Sequence, residues 1–359
     1  MSPAQTGMQE PPKPSSGRFF EDFRLGELIV HATPRTLSDG DAALYQALYG
    51  DRHILGSSAE AARALGYRDR PLNDWLVFHT VFGKTVADIS RHAVANLGYA
   101  QGRFLAPVYA GDTLSAQSEV TGLKENASGQ SGLVMVETQG FNQRGELALS
   151  YCRWVMVKKR DADTPAPQTA HWQVPAEVVD AAALKAPPVD FAAWNDKAAG
   201  SAKRFDDYAI GDKLHHGDGT TLEEAEHMMA TRSYQNTAAV HFDARLQADS
   251  RFGKRLIYGG HIISHARAMS FNGLENAGPI LALNGGTHAG PAFAGDTIYG
   301  WSEIVDKADV PTRDDVGALR VMHYIGKNDP CTAMQARNGD AKLLAHIILE
   351  LDVWLAMPR

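Results

Sequence analysis

The chain contains two copies of one sequence unit. The segment FRLGE at 23–27 corresponds to YAIGD at 208–212, which lies 185 positions further on, and PVYAGDTL at 107–114 corresponds to PAFAGDTI at 291–298. Ordered matches at a nearly constant offset indicate a duplication. Because 359 residues accommodate two domains of ordinary size, we expect two similar units joined in one chain.

The repeat, together with the composition between its copies, defines the predicted domains. Residues 1–18 form a polar tail that we expect to be disordered, and 19–159 form the N-terminal unit. A segment rich in proline and alanine at 160–204 lacks sustained periodicity and is predicted to be a surface linker. The C-terminal unit takes up 205–359.

Each unit is predicted to contain one long buried helix. The segment DWLVFHTVFGKTVADIS at 74–90 is apolar nearly all round, and its counterpart is GGHIISHARAMSFNG at 259–273. Long strands follow each helix, and the last strand alternates apolar residues at period two from Leu343 to Leu355. A helix wrapped by an antiparallel sheet buries these apolar faces, so we predict an α+β fold in which two sheets pair side by side.

Composition excludes several classes of function. A net charge of −7 argues against a nucleic-acid partner. The two cysteines, Cys152 and Cys331, cannot form a disulfide framework, and the sequence predicts no metal site. No stretch approaches the ~18 apolar residues of a membrane span, and the N-terminus lacks the apolar core of a signal peptide. We therefore expect a cytoplasmic protein that does not contact membranes.

The two units differ most in the loop that follows their first helix. The loop reads YGDRHILG at 49–56 and YQNTAAVH at 234–241. At the repeat offset, the first unit keeps a carboxylate, Asp51, where the second has an amide, Asn236, and only the second has a histidine, His241. An apolar pocket can hold the pKa of an imidazole near the working pH. His241 is therefore the candidate general acid or base.

Two glycines begin the long helix of the second unit, in the segment YGGH at 258–261. Gly259 and Gly260 would let a ligand approach the backbone closely. A helix N-terminus presents unpaired N–H groups and a positive dipole end, which can stabilise an oxyanion such as a thioester enolate. The alternative interpretation is a tight turn with close packing. The first unit has Asp74 at this point, so no matching anion site is expected there.

These segments resemble the MaoC-like enoyl-CoA hydratases, a family with hotdog folds. The family motif Gly-Asp-x-Asn-Pro-x-His corresponds to 235–241, with Asn236 in place of Asp, and FGxPIxHGM corresponds to 252–260, with Tyr258 in place of His. Five segments match the mesaconyl-CoA hydratase branch in order: YGDRHILGSSAEAA, VFHTVFGKTVADIS, AVANLGYA, YQNTAAVHFDA and FGKRLIYGGHIIS. The resemblance covers 19–159 and 205–356.

The resemblance implies a tandem hotdog fold and a hydro-lyase reaction. Members of the branch reversibly hydrate mesaconyl-C1-CoA (2-methylfumaryl-CoA) to β-methylmalyl-CoA, in the ethylmalonyl-CoA pathway or related carbon assimilation. Coenzyme A is then part of the substrate, no separate cofactor is expected, and a homodimer is implied. In this reaction His241 would move the proton, Gln235 and Asn236 would orient water, and Gly259 would bind the thioester carbonyl.

Residues that could bind the CoA thioester flank the glycines or are charged. Arg232, Arg52 and Arg255 are alternative partners for the free carboxylate of the substrate. The full set of binding candidates is Gly260, Tyr258, Arg255, Lys254, Arg232, Asp51 and Arg52.

Three alternatives to this function stay open at the sequence level. The first is a hydratase for itaconyl-CoA or mesaconyl-C4-CoA. The second is a hotdog acyl-CoA thioesterase, in which Asp74 or Glu275 would have to be the carboxylate that such enzymes commonly place on the buried helix. The third is a binding module for acyl-CoA without catalytic activity.

Overall fold

The computed structural model describes residues 17–167, 172–176 and 178–359. Most of the predicted tail and part of the predicted linker, at 168–171 and 177, lie outside the described residues. The first unit begins with strand β1 and ends with strand β5. Its strands are β1 (Leu28–Thr36), β2 (Ala93–Phe104), β3 (Thr113–Glu125), β4 (Ser131–Phe141) and β5 (Leu147–Lys158). Its helices are α1 (Asp39–Tyr49), α2 (Ile54–Ser57), α3 (Ala59–Ala64) and α4 (Asp74–Thr85).

The second unit repeats this order after the linker, which contributes the short helix α5 (Asp196–Ala199). Its strands are β6 (Lys213–His215), β7 (Thr220–Thr221), β8 (Ile280–His288), β9 (Thr297–Asp309), β10 (Val316–Lys327) and β11 (Ile347–Pro358). Its helices are α6 (Glu224–Ser233), α7 (Ala244–Ala248) and α8 (Gly259–Met269).

The strands form one continuous antiparallel sheet of 11 strands, in the order β1-β3-β4-β5-β2-β8-β11-β10-β9-β6, with β7 paired to β9. The two units meet where β2 pairs with β8, through Gly102 opposite Leu283 and Arg103 opposite Ala282. The prediction that the two sheets pair side by side is therefore confirmed. Joining the sheets at this seam removes one edge strand from each unit.

The two long helices, α4 and α8, lie against this sheet in a shared core. Helix α4 is buried along its length after Asp74, as its uniformly apolar sequence predicts, and Asn73 caps it by accepting a hydrogen bond from the Trp75 N–H. It continues as a π-helical turn to Ser90, so the predicted bounds are confirmed. Helix α8 ends at Met269, four residues before the predicted end.

The linker covers the outer face of the sheet with apolar side chains. Phe191 and Trp194 are buried there against Trp354 of β11. The opposite face of β11 packs in the core that contains the two long helices. Both faces of β11 are therefore covered, and the strand begins at Ile347, four residues after the start of the predicted apolar alternation at Leu343.

No helix in the described part of the chain is long and apolar enough to cross a lipid bilayer.

Candidate active site

The duplication builds two related clefts, each from the loop after the first helix of a unit and the N-terminus of its long helix. The first cleft is surrounded by Asp51, His53, Asn73 and Asp74, together with Arg267 from the second unit. In the corresponding region of the second unit, the ring of His241 lies against that of Tyr258 and the ring of His288 against Gly259, and Asn236 lies in the loop that leads to His241. This cluster of residues is called the second cleft. Asp51 and His241 therefore belong to different clefts.

His241 has one ring nitrogen free for chemistry. It ends a single 3₁₀ turn, Ala239–His241, and its Nδ1 lies 3.0 Å from the carbonyl oxygen of Leu256. A carbonyl oxygen can only accept a hydrogen bond, so Nδ1 carries the hydrogen and Nε2 keeps its lone pair. Burial lowers the pKa of His241 to about 4, so the imidazole is neutral at pH 7 and able to accept a proton.

The two amides that were predicted to orient water make hydrogen bonds with other groups. Asn236 Oδ1 accepts a hydrogen bond from the Ala238 N–H at 3.0 Å. Gln235 lies in the left-handed region with φ 55°, and its Oε1 accepts a hydrogen bond of 3.3 Å from Lys84 Nζ. Neither amide is hydrogen bonded to His241 in the described structure. A role for them in orienting water stays a prediction.

The N-terminus of α8 presents two unpaired backbone N–H groups. The N–H of Tyr258, the residue that precedes the helix, donates to His227 Nε2 at 2.8 Å. The N–H groups of Gly259 and Gly260 form no hydrogen bond with the residues that the structure describes. They are therefore available to a ligand oxygen, with the positive end of the helix dipole behind them.

The same two glycines are also required by close packing. A Cβ atom on Gly259 would lie 2.4 Å from Cε1 of His288. A Cβ atom on Gly260 would lie 2.3 Å from Tyr258 Cε1 and 2.6 Å from His79 Cε1. The close-packing interpretation of the YGGH segment is therefore confirmed, and the binding of an oxyanion by these glycines stays a prediction.

His288 is a candidate for proton transfer that the sequence did not identify. It is the last residue of β8, and its ring contacts Gly259. Burial, with a smaller contribution from His241, lowers the pKa of His288 to about 4. No motif or spacing in the sequence relates His288 to His241, because the two residues meet only when β8 packs beside the start of α8.

The predicted basic binding residues lie around the clefts in separate contacts. Arg255 forms an ion pair of 2.8 Å with Glu224, and Lys254 lies 4.1 Å from the centre of the Phe293 ring. Arg52 donates a hydrogen bond of 2.7 Å to Asn272 Oδ1. The fourth residue, Arg232, is exposed at the end of α6. Binding of CoA or of a carboxylate by these residues stays a prediction.

The first cleft contains a hydrogen-bonded carboxylate and histidine. His53 Nδ1–H donates to Asp51 Oδ1 at 2.7 Å, and Asn73 Nδ2–H donates to Asp51 Oδ2 at 2.7 Å. Burial disfavours the Asp51 carboxylate, but His53 and Arg267 outweigh burial and lower its pKa to about 2. Asp51 is therefore ionised and fully occupied by these partners.

Asp74 gives the first cleft a second acidic group, at the position that corresponds to Gly259 in the repeat. Its Oδ2 accepts a hydrogen bond of 2.8 Å from the Ile280 N–H. Burial raises the pKa of Asp74 to about 6, so it is largely ionised at pH 7. The start of α4 thus faces a carboxylate, whereas the start of α8 faces neutral imidazoles. An anionic ligand is favoured in the second cleft.

A group of possible metal ligands occurs elsewhere, in the connection between β10 and β11. Asp329, Cys331 and His346 have ligand atoms within 4.8 Å of one another. None of these three residues belongs to either cleft.

Comparison with known proteins places the chain among acyl-CoA hydratases. The sequence model of the family described as mesaconyl-CoA hydratase matches residues 10–334. The β-methylmalyl-CoA dehydratase of Chloroflexus aurantiacus is 53% identical over 97% of this chain and 99% of its own. The mesaconyl-CoA hydratase of Cereibacter sphaeroides is 53% identical over 97% of this chain and 100% of its own.

Solved structures show the same fold. A Chloroflexus aurantiacus protein described as a MaoC domain dehydratase superposes with a TM-score of 0.93 at 52% identity, over 96% of this chain and 98% of the other. The Mycobacterium tuberculosis protein Rv0216, described as having a double hotdog fold, superposes with a TM-score of 0.75 at 24% identity, over 95% and 98% of the two chains. The predicted tandem hotdog is thereby confirmed, and the chain belongs to the mesaconyl-CoA hydratase family.

Proposed function

We propose that the protein is a hydro-lyase that reversibly adds water to mesaconyl-CoA, in the C1 thioester form, to give β-methylmalyl-CoA. The observation that carries this proposal is the 53% identity, over nearly the full length, to two relatives that are named for the two directions of this one reaction. The second cleft supports it, because a neutral imidazole and an unpaired helix N-terminus lie together there.

The N-terminus of α8 is proposed to bind the thioester carbonyl oxygen. The Gly259 N–H, which lacks a partner in the described structure, donates to this oxygen, and the Gly260 N–H provides a second donor. Addition of water at the β-carbon sends an electron pair to the carbonyl oxygen and forms an enolate. Donors that are already oriented stabilise that developing charge more than they stabilise the substrate, which lowers the barrier.

His241 is proposed to take the proton from the attacking water at its Nε2 atom. The oxygen of water forms a bond to the β-carbon, the double bond shifts towards the thioester, and His241 becomes an imidazolium. The negative charge of the enolate favours this imidazolium, which offsets the low pKa of the buried ring. The enolate α-carbon then takes this proton from the His241 imidazolium, either directly or through the neutral ring of His288, which gives up its own N–H proton as it accepts the one from His241. The dehydration direction reverses each step.

Thioester hydrolysis is the second candidate, and one observation favours it. Asp74 lies at the start of the long helix of the first unit, in the cleft with His53, and burial raises its pKa to about 6. A carboxylate in that position could activate water against a thioester carbonyl. Glu275, the other carboxylate considered from the sequence, accepts a hydrogen bond from the Gly273 N–H and has a local role in a turn.

The test is incubation of the purified protein with β-methylmalyl-CoA and, separately, with mesaconyl-C1-CoA, with products measured by mass spectrometry. Interconversion by the mass of one water, without free CoA, is the expected result. Release of free CoA would instead establish thioester hydrolysis and direct attention to Asp74. Binding of both compounds without conversion would contradict the proposed enzyme and support an acyl-CoA-binding module.

A further inference from the structure

Arg153 is a buried arginine whose charge the protein leaves uncompensated. It lies on β5 with no exposed surface. One of its nitrogen atoms, Nη2, donates a hydrogen bond of 2.8 Å to Thr85 Oγ1, while Nε and Nη1 have no hydrogen-bond partner in the described structure. Buried guanidinium groups without partners are rare, because desolvation of a charge is costly.

The groups around Arg153 do not balance its charge. It forms no ion pair within the described part of the chain, and the acidic side chains that act on it are Tyr151, Tyr99 and Tyr258. Burial raises the pKa of all three tyrosines, so they are uncharged at pH 7 and provide no counter-charge. Its guanidinium lies 4.4 Å from the centre of the Phe82 ring. A ring face attracts a cation, but it does not accept hydrogen bonds from the free N–H groups, which point outward in the plane of the guanidinium.

The other buried arginine of the two clefts provides the contrast. Arg267 donates hydrogen bonds to the carbonyl oxygens of Ala277 and Gly278, and the carboxylates of Asp51 and Asp74 favour its charge. At the repeat offset of 185, Arg267 corresponds to Phe82 on α4. The first cleft therefore has a cation balanced by acids, whereas the second has an unbalanced cation that comes from a strand.

Arg153 lies next to the second cleft. The ring of Phe82, which covers the guanidinium, is 6.0 Å from the ring of Tyr258, and the Tyr258 ring is 5.4 Å from that of His241. Tyr258 directly precedes Gly259, where the thioester carbonyl is proposed to bind. A short acyl group held at Gly259 can therefore direct its far end towards Arg153.

We propose that Arg153 binds the free carboxylate of the acyl group and thereby selects CoA thioesters of short dicarboxylic acids. The identity of that acyl group rests on the function proposed above, since mesaconate is a dicarboxylic acid and its CoA thioester keeps one carboxylate. Nη2 carries two hydrogens, and Thr85 accepts only one of them, so the other can pair with the free Nη1–H or Nε–H and donate to the two oxygens of a carboxylate. Because Arg153 has no exposed surface, the rings of Phe82 and Tyr258 move apart to admit the carboxylate.

The experiment measures binding without turnover. Succinyl-CoA and butyryl-CoA differ in having a terminal carboxylate or a methyl group, and neither has a double bond to hydrate. Isothermal titration of the wild-type protein is expected to show a preference of about 100-fold for succinyl-CoA. In Arg153→Gln this preference should fall to about threefold, through weaker binding of succinyl-CoA with butyryl-CoA affinity unchanged.

Two further variants keep the result interpretable. Arg267→Gln removes the buried arginine of the first cleft and should keep the wild-type preference. Arg153→Lys keeps the charge without the paired N–H donors and should show an intermediate preference. If Arg153→Gln does not fold, the preference of Arg153→Lys for succinyl-CoA over butyryl-CoA is sufficient to test the inference. A folded Arg153 variant that keeps the full preference, or a wild-type protein with no preference, would overturn the inference.

Failure of the inference is distinguishable from failure of the proposed function. A protein that prefers succinyl-CoA through Arg153 but does not hydrate mesaconyl-CoA would refute the proposed function and leave the carboxylate site intact. A protein that hydrates mesaconyl-CoA equally well with Arg153→Gln would refute the carboxylate site alone.

Discussion

The hydroxyl groups of Tyr49 and Tyr234 are hydrogen bonded to each other at 2.8 Å, and the two residues are 185 positions apart, which is the offset of the repeat. His79 Nε2 and Ser264 Oγ, which are also 185 positions apart, lie within hydrogen-bond distance at 3.1 Å. A residue that contacts its own counterpart lies close to the axis that relates two copies. The approximate two-fold axis of the molecule therefore passes between α4 and α8, and it places the two clefts on opposite sides of this core.

Removal of the Tyr49 hydroxyl should lower the free energy of unfolding more than removal of the Tyr234 hydroxyl. Tyr49 also bonds to His261 Nδ1 at 2.9 Å, so Tyr49→Phe leaves two buried partners unsatisfied, whereas Tyr234→Phe leaves Tyr49 with its histidine. We expect a loss of about 2 kcal/mol in the free energy of unfolding for Tyr49→Phe and about 1 kcal/mol for Tyr234→Phe, measured by urea denaturation. Equal losses for the two variants would contradict this arrangement.

Removal of the second-cleft imidazole should abolish most of the activity. His241→Ala is expected to lower kcat for mesaconyl-CoA hydration by about 10³-fold, because the proton acceptor for water is lost. The matched control is His53→Gln in the first cleft, which should keep kcat within about fivefold of wild type. The measurement is product formation at saturating substrate. A larger loss of kcat in His53→Gln than in His241→Ala would show that the reaction takes place in the first cleft.

Substitution at the helix N-terminus should separate packing from catalysis. A methyl group at Gly259 collides with His288, so Gly259→Ala is expected to lower kcat by about 10²-fold and also to destabilise the fold. Adding His288→Ala to Gly259→Ala should restore stability without restoring turnover if His288 takes part in proton transfer. Gly56→Ala is the control, because nothing lies within 4 Å of a Cβ atom there. Full recovery of turnover in the double variant would restrict His288 to a packing role.

The buried histidines should make the protein sensitive to mild acid. Burial lowers the pKa of His79 and His227 to about 3, and that of His241, His265 and His288 to about 4. In the unfolded chain these imidazoles titrate near 6.5, so the unfolded state binds more protons between about pH 6.5 and 4. The stability that neutral burial provides is complete above pH 6.5 and is lost as the pH falls through that range.

We therefore expect the free energy of unfolding to be constant from pH 8 to 7 and to fall below about pH 6.5, by up to about 1.4 kcal/mol per pH unit for each histidine. The melting temperature should fall steeply over the same range. Scanning calorimetry across this range provides the measurement. His265→Gln should reduce the steepness, because one proton uptake on unfolding is removed. A melting temperature that is constant down to pH 5 would show that these imidazoles are not buried in the neutral form.

The buried arginines Arg153 and Arg267 should respond oppositely to replacement by a neutral residue. Arg153→Met removes an uncompensated buried charge and should raise the free energy of unfolding by about 1 to 3 kcal/mol. Arg267→Met leaves Asp51 and Asp74 without their cation and should lower it by about 3 kcal/mol. Chemical denaturation of both variants at pH 7.5 checks this. Destabilisation of Arg153→Met would indicate a structural role for that guanidinium.

Much of the fold follows from local pattern in the chain. The segment at 74–90 is apolar nearly all round, so its helix has no polar face for water to contact. It is therefore buried where the sheet wraps it. The repeat predicted two equal units with paired sheets, and β2 joins β8 in that way. The apolar alternation predicted the last strand, but it could not show that linker residues such as Trp194 cover the outer side of that strand.

The sequence by itself determined the duplication, the family resemblance and the glycine pair that begins α8, because each is written in neighbouring residues. Only the tertiary structure shows that His288 and Arg153 lie near the second cleft and that Asp51 lines the first. His288 ends one strand and Arg153 lies within another, far in sequence from His241. The physical reason is that strand pairing and helix packing are long-range contacts, and these contacts decide which charges are balanced and which side chains meet.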